Sequence, residues 1–186
     1  MLLLAKFLAK CPRLSSLIFK SFLNWADEGP KLQFCNLMGA LSHLKEFNSL
    51  ELELKILAAN SSILEELGAS INKIKSLRHL AISILPLMNE FKADTLNFFQ
   101  SIHSLSHLKF LHLFGLSESL PHDQYPLNSF KERFTLLEDF GLGGFAIQTQ
   151  NLNKYLKSLI SVDRIKTLTL ELPCEKDQRI GLLFQD

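Results

Sequence analysis

The sequence is poor in several things that would each point to a class of function. It has three cysteines, Cys11, Cys35 and Cys174, an odd number spread far apart. They make neither a disulfide framework nor a zinc site, and they fit a reducing, cytoplasmic compartment. Net charge is nearly absent, +1 from 20 Lys and Arg against 19 Asp and Glu. Bulk electrostatics therefore gives no reason to expect nucleic acid, which calls for a clearly basic domain. No apolar run approaches the ~18 residues of a membrane span, so no membrane insertion is expected. In the opening MLLLAKFLAKCP, Lys6 and Lys10 break the apolar run and no basic stretch precedes it, so it does not read as a signal peptide. Asn60-Ser61-Ser62 fits a glycosylation sequon, read as a chance match in the absence of a leader. GxSxG, HExxH and P-loop motifs are missing. His43, His103, His107 and His122 stand without a carboxylate at useful spacing. The expectation is a chain with no catalytic residues, no cofactor and no metal.

What the sequence does have is apolar residues, 47% of the chain with fifteen Phe, in a recurring order. The pattern apolar-x-x-apolar-x-x-apolar-x-apolar begins at Cys11, Leu41, Ile74, Leu105, Phe134 and Val162, at intervals of 30, 33, 31, 29 and 28 residues. A near-constant period of this size signals a stacked array. Numbering each unit from its first apolar residue, offsets −7, −3, 0, +3, +6, +8 and +11 form seven columns of six. Only Lys131, Ser49 and Pro173 in them are not apolar, where the chain average would leave about half polar. Offsets −7 to +3 are spaced by four, three and three, the stripe of a helix and the turn after it. Offsets +6 and +8 are spaced by two, which sets both side chains on one face of a strand. Each unit therefore reads as a helix followed by a short strand, and neighbours must stack to share a core.

The segments LRHLAISIL at Leu77 and LKFLHLFGL at Leu108 resemble the leucine-rich-repeat family, and the resemblance covers essentially the whole chain. The unit length and helical half look like the ribonuclease-inhibitor-like long repeats, diverged. The family's Asn at the turn after the strand is replaced by Phe, Leu or Pro, so the asparagine ladder is missing. The resemblance implies an α/β fold: a right-handed solenoid of about six helix–strand units with a parallel sheet on the concave face. Residues 1–186 form one repeat domain, either whole or a piece of a longer repeat protein. Stretches 23–32, 86–94 and 117–126 carry the Pro, Gly, Asp and Asn of loops. The tail CEKDQRIGLLFQD begins a seventh unit or folds over the end of the sheet.

Outward strand positions are the places for function. In the fourth unit Phe110, His112 and Phe114 are consecutive outward residues, flanked by His79, Arg78, Lys109 and Asp139. Two exposed aromatics and an imidazole on a rigid strand suit a protein-binding hot spot. The expectation is a non-catalytic recognition module that binds a protein partner on the sheet face, in the cytoplasm or, for a secreted bacterial effector, the host cytosol. Its alternative is a structural or autoinhibitory segment of a larger protein. Lys45, Arg78, Lys109 and Lys166 form a basic row broken by Glu138, suited to an acidic partner or a solvated face. His79, His112 and Asp139 lack ligand spacing for a metal. Phe140-Gly141-Leu142-Gly143-Gly144 lacks the spacing of a phosphate loop and reads as a recessed patch beside the aromatic ridge.

Overall fold

The computed structural model describes residues 2–8, 10–24, 27–57, 63–86, 98, 101–102, 104–115, 134–143, 164–171 and 179–183. The elements run α1 (Leu2–Leu8), β1 (Ser16–Asn24), α2 (Glu28–Ser42), β2 (Ser49–Leu57), α3 (Ile63–Ile71) and β3 (His79–Pro86). They continue with β4 (Phe110–Phe114), β5 (Asp139–Gly143), β6 (Thr167–Glu171) and β7 (Arg179–Leu183). The strands lie in one sheet in chain order. β1 to β6 are all parallel, and β7 pairs antiparallel with β6. The fold is thus of the α/β class. Helices α2 and α3 lie between the first three strands, and Phe98 and Ser101, ahead of β4, have helical backbone. Residues 116–133 and 144–163, which hold most of the links from β4 to β5 and from β5 to β6 and the stretch 117–126, lie outside the described residues. So do Cys174 and the sequon at Asn60.

Local chemistry explains the boundaries. Asp27 caps α2 by accepting from the Gly29 N–H at 3.3 Å, and Pro30 falls in the first turn, where its missing N–H costs no helical bond. The stretch 23–32, expected as a loop, is therefore mostly the end of β1 and the start of α2. Ahead of each of β1 to β5 the same turn recurs. The carbonyls of Cys11, Leu44, Ile74, Leu105 and Phe134 accept from the N–H three residues on, at 3.0–3.3 Å. Each of β2 to β6 is entered through one shared carbonyl. Ser15, Asn48, Arg78, Lys109 and Glu138 each accept two N–H groups of the following strand at 2.7–3.2 Å.

These bonds correct the second unit, which begins at Leu44 and not Leu41. Leu50 pairs with Leu17 and Leu80, and Leu52 with Phe19 and Ile82. Leu41, Leu44, Phe47 and Leu50 are all apolar and three apart, so the pattern fits twice. The later start also replaces Ser49 by Leu52 in its column. Offset +11 needs correction too. β1, β2 and β3 do not turn after a short stretch but alternate through eight or nine residues. Leu50, Leu52, Leu54 and Ile56 point inward at 0–2% exposure, whereas Phe22 and Leu85 at +11 are 56% and 53% exposed. β4, by contrast, stops at Gly115, whose φ of +76° and close approach to Ile84 suit only glycine.

The core is one cluster. Phe34, Leu37, Met38 and Leu41 of α2, Leu67 and Ile71 of α3, Phe98 and Ile102 meet the inward side chains of β1 to β6. Full burial of each such side chain contributes roughly 1.5–3 kcal/mol. The described helices thus pack on one face of the sheet, and the outward strand residues lie on the other. Among the described residues no helix is long and apolar enough to cross a membrane.

Candidate functional site

On the open face, strand pairing sets outward residues in rows that cross the sheet. One row is Ser16, Ser49, His79, Phe110, Asp139 and Thr167. The next is Ile18, Glu51, Ala81, His112, Gly141 and Thr169. Phe114 sits beyond them, beside Ser83. Five of the expected site residues come together here. His79 and Phe110 stack with ring centroids 3.8 Å apart and 7° between planes. Phe110 and His112 stack at 3.9 Å, and His112 meets Phe114 edge-on at 5.4 Å. Asp139 Oδ1 lies 2.7 Å from His112 Nε2, a hydrogen bond that orients the imidazole from the next strand.

The aromatic rings are half-buried, less open than the sequence pattern implies, because the imidazoles of the same cluster cover part of their faces. The glycine patch is not an open trough either. A Cβ on Gly141 would lie 2.6 Å from His112 Cδ2. The missing side chain is what lets the ring lie across β5 and reach Asp139.

Burial, foremost, holds the His79 imidazole below its usual value, and the neighbouring His112 pushes the same way, while Glu51 and Asp139 pull back. His79 is therefore kept as a neutral stacking ring. Two other expected residues stand apart from the cluster. Arg78 and Lys109 precede the strands, in the row Ser15, Asn48, Arg78, Lys109, Glu138 and Lys166. Asn48 holds the place assigned to Lys45. Glu138 accepts from Lys109 at 3.2 Å and from Lys166 at 3.3 Å, and these two cations hold its carboxyl below the usual range. Lys109 and Lys166 thus share the one carboxylate of the row, and Arg78 forms no ion pair with a described residue.

Among the described residues no three His, Cys, Asp or Glu side chains gather as metal ligands. Cys11 and Cys35 are free, and Cys35 Sγ lies 3.3 Å from Ser70 Oγ. Glu53, Lys55, Phe22 and Leu85 are open-face residues that the sequence pattern does not place there. For Glu53 and Lys55 the reason is the start of the second unit at Leu44, and for Phe22 and Leu85 it is that the repeat pattern turns offset +11 inward. Their signal was the unbroken alternation of Leu50, Leu52, Leu54 and Ile56, which makes the residues between them outward. Compared with known proteins, the chain matches no protein-family model and no curated protein sequence.

Proposed function

We propose that the chain is a non-catalytic recognition module that binds a protein partner on the open face of its sheet. Its architecture is read as a leucine-rich-repeat-like solenoid of about six helix–strand units in the cytoplasm, or in a host cytosol for a secreted effector. The recurring turn and the shared entry carbonyl support a repeat, since four successive strands, β2 to β5, are started by the same bonds. The observation that carries the binding reading is the stacked group His79, Phe110, His112 and Phe114, with Asp139 bonded to its centre. Rigid aromatic groups held on strands lose little entropy on binding, and such anchors dominate interface energy. Their polar atoms add direction. Affinity capture with wild type beside a Phe110→Ala/Phe114→Ala variant tests the reading. A partner retained by the wild type should be lost by the variant while folding persists, at about 2 kcal/mol or more of binding energy per anchor. Equal retention by both proteins would show that this face is not the binding surface.

A further inference from the structure

The open face around the aromatic group has a relief and a charge pattern that bear on the partner's chemistry. β3 presents Ala81 and Ser83 outward, between Glu51 and Glu53 of β2 and His112 and Phe114 of β4. Small side chains between long ones leave a trough along β3. Its walls stand two strand spacings apart, ~10 Å. One wall is carboxylate and the other imidazole and phenyl. The His79–Phe110 stack closes the trough at the strand start, and the half-exposed Leu85 stands at the far end.

The carboxylates on this face differ in availability. Glu53 is taken by Lys20 across β1, and Asp139 by His112. Glu51 is exposed, beside Ala81, and has no hydrogen bond or ion pair with any described residue. Competing cations are distant or engaged. Lys55 lies four residues along β2 from Glu51, ~13 Å at the strand rise, and Arg78 three residues before Ala81, ~10 Å. Neither forms an ion pair with Glu51, and Lys20, which feels the Glu51 charge, is bound to Glu53. Lys109 and Lys166 are bound to Glu138.

We propose that this trough receives a lysine or arginine side chain of the partner, its cationic head against Glu51 and its stem along Ala81, Ser83 and Phe114. The inference rests on the recognition reading and names the partner's contact chemistry. A long basic side chain suits both walls. Its methylene stem covers apolar surface and its charge meets an unpaired carboxylate. An acidic contact, the alternative raised by the basic row, would have to draw Lys109 and Lys166 from Glu138 and finds Arg78 alone unengaged in that row.

The test is selection of a random peptide library on the wild type, on Glu51→Gln and on Phe110→Ala/Phe114→Ala. Glu51→Gln keeps the size of an exposed side chain, so folding is not at stake. The expected result is enrichment of peptides with a required Lys or Arg. Replacing that residue by norleucine should weaken binding to the wild type about tenfold, with no such discrimination by Glu51→Gln. Peptides that bind through Phe110 and Phe114 without needing a basic residue would overturn the proposal and leave the recognition reading standing. An unchanged basic preference in Glu51→Gln would also overturn it. Selection that ignores the double substitution would overturn both.

Discussion

Gly141→Ala isolates the device that positions the site. The Cβ of the substitution falls 2.6, 2.7 and 2.9 Å from Cδ2, Cγ and Nε2 of His112. Ordinary carbon contacts are about 3.5–4.0 Å, so the ring has to withdraw by about 1 Å. The same ring is held by a 2.7 Å bond to Asp139 and a 3.9 Å stack on Phe110. A withdrawal of that size takes the hydrogen bond beyond useful length. Overpacking costs typically 1–3 kcal/mol, and a lost hydrogen bond about 0.5–1.5 kcal/mol. The expected destabilisation is about 2 kcal/mol, a drop of roughly 4–8 °C in Tm for a chain of this size. Gly39→Ala is the matched control. Gly39 lies within α2, and a Cβ there meets nothing within 4 Å, so helix propensity should stabilise it by up to about 1 kcal/mol. Urea denaturation gives both energies, and the imidazole resonances of His112 report its displacement. If Gly141→Ala costs under about 0.5 kcal/mol with His112 unmoved, the ring does not lie over Gly141.

Inside and outside are checked by three substitutions. Leu80→Ala and Leu111→Ala, at 0% exposure, should each cost roughly 2–5 kcal/mol, and Arg78→Ala within about 0.5 kcal/mol; equal urea midpoints would refute the assignment. Phe22→Ser and Leu85→Ser should barely alter stability, because both side chains point away from the helices. A core-sized loss in thermal melts would place them inward after all. His79 makes folding pH-dependent. Its value is depressed in the fold, so the unfolded chain binds more protons as acid is added. The stability it contributes is complete above the ordinary value of 6.5 and is lost as pH falls through it toward the depressed value. His79→Phe keeps a stacking ring without a proton site, so its denaturation midpoint should fall less than the wild type's between about pH 7.5 and 5.5; parallel curves would refute the assignment.

Much of the fold was legible because burial imposes a period. Leu17, Leu80, Leu111, Phe140 and Leu168 fell in one inward column by spacing alone, and strand pairing joins them. The second unit slipped because its apolar residues repeat every three positions, which satisfies the pattern at two starts. The long alternation of β1 to β3 was also visible, but a short-strand repeat pattern hid it, so Phe22 and Leu85 were turned inward. The direction of β7 had no signal, since an apolar run pairs either way. The cluster of Phe110, His112 and Phe114 followed from alternation on one strand. The link from His112 to Asp139 did not, because it depends on a ring lying across a glycine two strand positions from its partner.

The recognition surface is tested most directly by site-specific photo-crosslinking. A photoreactive amino acid replaces Ser83, exposed on the open face beside Phe114, or Gln33, exposed on α2 in the helix layer. Neither position fills the core, so both proteins should fold alike. Crosslinks to a common protein partner that form from position 83 and are weak or missing from position 33 are the predicted result. Crosslinking from position 33 with none from position 83 would contradict the account.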